Sequence, residues 1–372
     1  MHTQQHPLSG GTPGTARALT SLHYGPEGRG QKVLIQAALH ADETPGMLVI
    51  HHLRQRLAAL EAEDQLRGEV VLVPVANPLG LSQHLLHGGV GRFDLMSGEN
   101  FNRHYPDLYG RAAELAEPAL TQDTQHNVQQ VRAALRQAVA EWQPANELQS
   151  LRRELLALAC DADVVLDLHC DCEAVLHLYT GTPLWPQAEP LVRYLGAEVT
   201  LLATESGDQP FDEACSQLWW RLAERWQDRF PLPAACLAAT VELRGLADVG
   251  HAQAQQDAQA ILDFLAHRGV LALPAPPAPP LKRAPQPLAG SMPITAERAG
   301  VLAFAAQPGD ELRAGDPVAD LVDPLTGELH TLRSPVDGVL YAREHRRFAT
   351  AGMRVAKVAG SQALRSGKLL SV

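Results

Sequence analysis

The sequence predicts an α/β protein with a mostly parallel or mixed central sheet flanked by helices, followed by a small C-terminal all-β domain. Near-continuous apolar runs, such as residues 33–39 and 69–75, alternate with helix-like segments. That alternation is typical of parallel strands covered on both faces. A proline-rich stretch then gives way to short apolar segments broken by turns, which predicts the β-domain.

Composition restricts the function classes. The chain of 372 residues is 45% hydrophobic, and its formal net charge of −11 argues against a nucleic-acid protein held by phosphate contacts. The N-terminus lacks a secretory signal, and no apolar run reaches the roughly 18 residues of a membrane helix. Five cysteines, an odd number, suggest reduced thiols. We expect a cytoplasmic protein that binds neither nucleic acid nor a membrane.

The predicted elements follow in order. Residues 33–39, 69–75, 163–168 and 238–243 are the four buried strands. Thr44 and Pro45 begin the first helix as N-cap and first helical residue. A stretch poor in β-branched residues, 107–158, predicts two or three helices, and a further helix covers about residues 251–267.

Three domains are predicted: a catalytic domain over residues 1–272, a proline-rich extended linker over 273–290 and a β-domain over 291–372. The sequence Gly-Val-Leu at 300–302 recurs at 338–340, which predicts two related halves. The tail resembles biotinyl/lipoyl-type barrel-sandwich domains. Their cofactor-carrying lysine has no counterpart in residues 320–325, so we expect a lid, a packing module or an oligomerisation surface.

His40, Glu43 and His169 are the candidate metal ligands. His40 and Glu43 follow the first strand and His169 ends the third, so all three should lie at the carboxyl edge of the sheet. Three protein ligands with an open fourth position are typical of catalytic zinc. Alternatively, Glu43 favours the helix N-terminus electrostatically and His169 only bonds backbone groups. Asp167 could orient His169.

Other potential ligands are weaker candidates. Cys170 and Cys172 follow His169 directly, but we expect them to be buried, unligated thiols. His84, His87 and His104 lie in a predicted loop rather than at strand ends.

Glu242 ends an otherwise apolar strand, where a carboxylate is costly unless it faces a polar cleft. It is the candidate general base, which would take a proton from water and return it to a leaving nitrogen. The alternative is a structural pair with Arg244 on the same face.

Two arginines are candidates for anion contacts. Arg103, which follows Asn102, is a candidate ligand for a substrate carboxylate, which a guanidinium binds through two hydrogen bonds. Arg92 is the candidate for stabilising an oxyanion. Either arginine could instead be an ordinary surface charge.

Four motifs in a fixed order resemble those of the succinylglutamate desuccinylase/aspartoacylase family, a branch of the zinc-carboxypeptidase-like fold. The resemblance covers roughly residues 30–270. The matching residues are His40, Glu43 and Gly46; Asn102 and Arg103; Asp167 and His169; and Thr240 and Glu242.

The resemblance implies zinc-dependent hydrolysis of the amide bond of a small N-acyl amino acid, with one Zn²⁺ per chain. It implies that His40, Glu43 and His169 bind the zinc, that Glu242 activates the zinc-bound water, and that Asn102 with Arg103 binds the substrate carboxylate; Arg92 matches the family's oxyanion arginine. The alternatives are a zinc metallocarboxypeptidase acting on short peptides and a non-catalytic metal-containing binding protein. Both a monomer and a homo-oligomer are compatible with the sequence.

Overall fold

The computed structural model describes residues 1–370. The strands before residue 291 are β1 (His2–Pro7), β2 (Ala18–Tyr24), β3 (Lys32–Ala37), β4 (Glu69–Val73), β5 (His84–Leu85), β6 (Gly88–Gly89), β7 (Val164–Asp171), β8 (Glu173–Ala174), β9 (His177–Gly181), β10 (Val199–Ala203), β11 (Leu237–Gly245) and β12 (Gln286–Pro287).

Nine of these strands form one mixed sheet, in the order β1-β2-β4-β3-β7-β11-β9-β10-β12. Five neighbouring pairs are parallel and three are antiparallel. The four adjacent strands β4, β3, β7 and β11 all run in the same direction, so their carboxyl ends share one edge. The predicted α/β class with a mixed central sheet is confirmed.

Helices cover both faces of this sheet. They are α1 (Pro45–Ala62), α2 (Pro78–Leu81), α3 (Tyr109–Ala116), α4 (Thr124–Glu141), α5 (Glu147–Ala159), α6 (Trp185–Leu195), α7 (Phe211–Trp226) and α8 (His251–His267). Leu34 packs on one face with α3, α4, α5 and α7, whereas Val33 and Ile35 pack on the other with α1, α6 and α8. Successive strand residues alternate between two apolar cores, which explains the continuous apolar runs.

Most predicted elements occur close to their predicted positions. The helix-rich region 107–158 contains α3, α4 and α5, and α8 spans the predicted residues 251–267. Thr44 occupies the N-cap position of α1 with Pro45 after it, but its side chain makes no capping hydrogen bond because Thr44 itself has helical φ and ψ angles.

Two strands extend beyond their predicted ends. β7 continues to Asp171 and β11 to Gly245, so His169 and Glu242 lie within strands rather than at their last residue. Both strands have a hydrogen-bonded neighbour on each side, and their shared ladder continues to the pairing of Gly245 with Asp171. This pairing holds polar residues in extended conformation after the apolar run ends.

The C-terminal strands are β13 (Ser291–Thr295), β14 (Gly300–Phe304), β15 (Glu311–Leu312), β16 (Pro317–Val322), β17 (Leu329–Arg333), β18 (Gly338–Arg343), β19 (Phe348–Ala349) and β20 (Arg354–Gly360). They form two antiparallel sheets, β13-β20-β18-β15 and β17-β16-β14-β19. The sequence repeat corresponds to two similar pairings, β14 with β16 and β18 with β20. The likeness to a biotinyl/lipoyl-type domain and the domain boundaries stay predictions.

The C-terminal strands contact the central sheet directly. β8 pairs with β18, and β12, which lies in the predicted linker, adds a parallel strand beside β10. The linker also binds α6, because the Arg193 guanidinium donates to the carbonyls of Ala278 and Pro279. The candidate site therefore lies close to the junction with the C-terminal strands.

Among the described residues, no helix has both the length and the apolar character needed to cross a membrane. All five cysteines are free thiols.

Gly46, in the first turn of α1, allows this helix to approach the sheet closely. A Cβ atom at position 46 would lie 2.9 Å from the Cβ atoms of both Ala37 and Leu168. Gly46→Ala must therefore displace α1, and we expect a loss of about 1–3 kcal/mol in the free energy of unfolding, measured in urea.

The matched control for this prediction is Gly110→Ala. Gly110 is also the second residue of a helix, α3, but it is exposed, and no heavy atom of residues 1–370 would lie within 4 Å of its new Cβ. This variant should be as stable as the parent chain or slightly more stable. Equal stability of the two variants would contradict the packing argument.

Candidate active site

The turn after β3 carries His40 and Glu43 to the carboxyl edge of the sheet. Ala38 adopts a left-handed conformation with φ of 60°, which costs energy for a residue with a Cβ and redirects the chain. The Ala41 amide then donates to the carbonyl of Gly91 over 3.0 Å. The turn is thus fixed from both sides, and His40 and Glu43 are both buried.

The Glu43 carboxylate lies between two imidazoles. Its Oε1 is 2.9 Å from His40 Nδ1, and its Oε2 is 2.7 Å from His169 Nδ1. The Cys170 amide also donates to Oε2 over 3.1 Å. His40, Glu43 and His169 therefore form one buried group whose ligand atoms all lie within 4.8 Å of one another. The structure brings together the three residues predicted as metal ligands.

The hydrogen bonds of the outer ring nitrogens test whether this group fits a cation. His40 Nε2 donates to Asn100 Oδ1 over 2.9 Å, and the same oxygen accepts from the Asn102 amide, which fixes its identity. His169 Nε2 donates to Asp167 over 2.9 Å, as predicted for an orienting partner. In the neutral form that metal ligation requires, each ring directs its Nδ1 lone pair at the Glu43 carboxylate. Acceptors facing acceptors fit a metal ion between them, and the N, O, N donor set suits zinc.

Burial and neighbouring charges act strongly on these groups. Burial lowers the pKa of His40 to about 4, so that this ring is neutral at pH 7. Burial would also lower the pKa of His169, but the carboxylates of Asp167 and Glu43 raise it well above its usual value. Burial would raise the pKa of Glu43, yet the two imidazoles hold it well below its usual value. Glu43 is therefore available as a carboxylate ligand.

Glu242 is the neighbour of His169 across the β7–β11 ladder. Burial, together with the charge of Glu43, raises the pKa of Glu242 to about 8. Its Oε2 is buried and has no hydrogen-bond partner within residues 1–370. A carboxyl group with a pKa near neutrality can both accept and return a proton.

Arg244 does not pair with Glu242, contrary to the structural alternative for that residue. The ladder between β7 and β11 shifts register after Glu242, and Arg244 has a φ of 67° within this irregularity. Its guanidinium consequently contacts Asp257 of α8. The bulge could not be predicted from the strand pattern, because strict alternation places residues 242 and 244 on one face.

Arg92 lies beside the candidate metal ligands. Its Nη1 is 3.2 Å from His40 Nδ1 and 3.3 Å from Glu43 Oε1, and the side chain is 36% exposed. Gly91 permits this approach, since a Cβ there would lie 2.4 Å from the Asp42 amide nitrogen. Arg92 can therefore reach the same space as the three predicted ligands, and its role in stabilising an oxyanion stays a prediction.

Asn102 and Arg103 are buried in the wall of the same pocket. Asn102 Oδ1 accepts from the Phe211 amide over 2.8 Å, and its Nδ2 lies 3.4 Å from His169 Nε2. Arg103 Nη1 donates to the Asn102 carbonyl over 2.6 Å. Burial and the nearby Arg92 lower the pKa of Arg103, and Asp212 opposes that effect. The predicted carboxylate-binding pair thus lies in the pocket.

Several pocket residues were not predicted from the sequence. Lys357 of β20 reaches the pocket and pairs with Asp171 at the end of β7, and Tyr179 of β9 lies next to them. Asp212 and Glu213 enter it from the first turn of α7, where burial raises their pKa values to about 6 and about 7. Only the ladder register and the packing of the C-terminal strands bring these residues together. Asp171 lies two residues after His169 and therefore on the same strand face. This spacing was the sequence signal that could have placed Asp171 in the pocket.

The weaker metal candidates lie elsewhere. His84, His87 and His104 are exposed and outside the pocket. Cys170 is buried as expected, whereas Cys172 is partly exposed rather than fully buried.

The pocket encloses about 740 Å³, counted to its open mouth. His40, Arg92, His169 and Glu242 all line it.

Part of the chain is similar in sequence to a known catalytic domain. A sequence model of the succinylglutamate desuccinylase/aspartoacylase catalytic domain matches residues 29–143. Residues 29–143 are thus similar to the catalytic domain of that family. No curated protein sequence matches the chain significantly.

Solved structures of family members cover almost the whole chain. A protein of this family from Shewanella amazonensis is 28% identical, with a TM-score of 0.83 over 96% of this chain and 98% of that chain. One from Shewanella frigidimarina is 27% identical, with a TM-score of 0.85 over 96% and 97%. A succinylglutamate desuccinylase/aspartoacylase from Rhodobacter sphaeroides, 17% identical, shares the fold with a TM-score of 0.65 over 97% and 96%.

The metal content of the purified chain tests the ligand set. We expect about one zinc ion per chain at this centre, and His169→Ala should remove it because two ligands alone bind zinc weakly. Elemental analysis after dialysis against a mild chelator measures the difference. His104→Ala, which changes an exposed histidine outside the pocket, is the control and should keep its metal. Unchanged zinc in His169→Ala would disprove the assignment.

Proposed function

We propose that the chain is a zinc-dependent amidohydrolase that removes the acyl group from a small N-acyl amino acid. The observation that carries this proposal is the position of Glu242. Its carboxyl group has one buried oxygen without a hydrogen-bond partner among residues 1–370, and it lines the same pocket as His40 and His169, the imidazoles that flank Glu43. Bound zinc would supply Lewis-acid polarisation of water and of the amide carbonyl.

The protein residues would bind the substrate, stabilise the oxyanion and transfer the proton. Arg103 and the amide of Asn102 bind the substrate carboxylate, which orients the scissile amide toward the donor group. Arg92, whose guanidinium is partly exposed to the pocket, donates to the carbonyl oxygen as negative charge develops there. Glu242 Oε2 accepts the proton of the attacking water and then passes it to the departing amine nitrogen.

Other side chains keep these groups in position. Asp167 and Asn100 hold the outer nitrogens of His169 and His40, so that each Nδ1 points at the centre. Gln36 in turn donates to the second oxygen of Asp167 over 3.0 Å, which fixes that carboxylate within the sheet. The donors are therefore oriented before a metal ion or a substrate binds.

The decisive experiment is a hydrolysis screen of acetyl, succinyl and formyl amino acids with Glu242→Gln as the variant. Loss of the base should lower kcat about 10²–10⁴-fold at unchanged zinc content. Glu205→Gln, which changes an exposed glutamate outside the pocket, should keep full activity. Undiminished hydrolysis by Glu242→Gln would show that Glu242 is not the base.

The same screen separates the alternatives. Cleavage of short peptides but not of N-acyl amino acids would favour a metallocarboxypeptidase. A wild-type chain that binds zinc and hydrolyses nothing in the panel would favour a metal-containing binding protein.

Arg103→Lys tests the carboxylate contact. A lysine keeps the positive charge but cannot form the paired hydrogen bonds of a guanidinium, so KM should rise about tenfold or more while kcat changes little. Steady-state kinetics on the best substrate of the screen measure both constants. Arg111→Lys, on the surface of α3, is the control. An unchanged KM in Arg103→Lys would remove Arg103 from substrate binding.

A further inference from the structure

A second group of potential metal ligands lies where the central sheet meets the C-terminal strands. Cys172 follows β7, while Glu344 and His345 follow β18. The ligand atoms of these three side chains all lie within 4.8 Å of one another. We propose that Cys172, Glu344 and His345 form a second zinc-type metal site, separate from the His40, Glu43 and His169 centre.

The donor set supports a transition metal rather than calcium or magnesium. A thiolate and an imidazole are soft or borderline donors, which zinc and cobalt prefer, whereas hard cations need several oxygens. One thiolate and one carboxylate together balance the charge of a divalent ion. The ligated group is then neutral, so its partial burial carries little electrostatic cost.

The three side chains already point toward one another. Glu344 Oε1 is 2.9 Å from His345 Nδ1, and the Glu344 side chain is only 8% exposed. The His345 ring is 49% exposed, so solvent can supply the fourth ligand. Burial raises the pKa of the Cys172 thiol to about 12, and a bound metal ion would reverse this by stabilising the thiolate.

Arg346 is the competitor for Glu344. Its Nε and Nη2 donate to the two Glu344 oxygens over 3.2 Å and 2.8 Å, but the Arg346 side chain is 65% exposed. Water screens a guanidinium that is this exposed, so a divalent ion can replace it as the counter-ion of Glu344. Metal binding would therefore release Arg346 into solvent.

The site would join the two parts of the molecule. Glu173 of β8 pairs with Arg343 of β18 in the ladder, and the Val175 amide donates to the Tyr341 carbonyl over 3.0 Å. Cys172 directly precedes these contacts on one strand, and Glu344 directly follows them on the other. A metal ion bound by these residues would cross-link the two chain segments at one end of the β8–β18 ladder. It would thereby stabilise the junction beside the catalytic pocket.

Cobalt substitution of the full chain tests this site independently of catalysis. Only a thiolate ligand gives a near-ultraviolet sulfur-to-cobalt charge-transfer band, and the His40, Glu43 and His169 centre contains no sulfur. We expect about two Co²⁺ per chain, one at each three-ligand centre, together with this band. Cys172→Ala should lose the band and one ion, whereas His169→Ala should lose the other ion and keep the band.

Further variants complete the test. His345→Ala, on an exposed side chain, should weaken cobalt binding at this site without unfolding the chain. Arg346→Ala should tighten it roughly twofold to fivefold because the competing ion pair is gone. Cys160→Ala, at a distant cysteine that ends α5, should keep the band. Absence of the band in the reduced wild-type chain, or its survival in Cys172→Ala, would overturn the proposal.

Discussion

The Glu43 carboxylate between the imidazoles of His40 and His169 is the interaction on which the candidate site depends. It joins the turn after β3 to the middle of the sheet at β7. The join is possible because β3 and β7 are parallel neighbours, so that the carboxyl ends of both strands open on one edge. β11 is the next parallel strand, and its pairing with β7 sets Glu242 beside His169. One stretch of parallel ladder thus collects donors from three distant parts of the chain.

Close backbone packing keeps this arrangement in register. Gly46 lets α1 lie against β3 and β7, and Gly91 lets the Arg92 loop lie against the His40 turn. The left-handed Ala38 supplies the sharp change of direction after β3. Such strain persists only where surrounding contacts fix it, and here it holds two ligands at the centre. The strained turn therefore orients the donor atoms of His40 and Glu43.

The sequence predicted what local pattern and strand order determine. Apolar runs located β3, β4, β7 and β11, and polar residues at their ends located His40, His169 and Glu242. It could not predict where those strands stop, because β7 continues to Asp171 through pairing with neighbours that are remote in sequence. The bulge that turns Arg244 toward Asp257 was missed for the same reason. Lys357 was missed because only tertiary packing of β20 brings it to the pocket.

The placement of Lys357 changes how the C-terminal strands relate to the catalytic pocket. Its ammonium pairs with Asp171 of β7, and the Ser291 and Tyr341 hydroxyls hydrogen-bond beside it over 2.7 Å. Without β20, the partly buried Asp171 carboxylate would lose its counter-ion, which is costly. A lid that opens freely would have to break this pair in every cycle. The ion pair therefore favours a fixed wall of the pocket over a mobile lid as the role of the C-terminal strands.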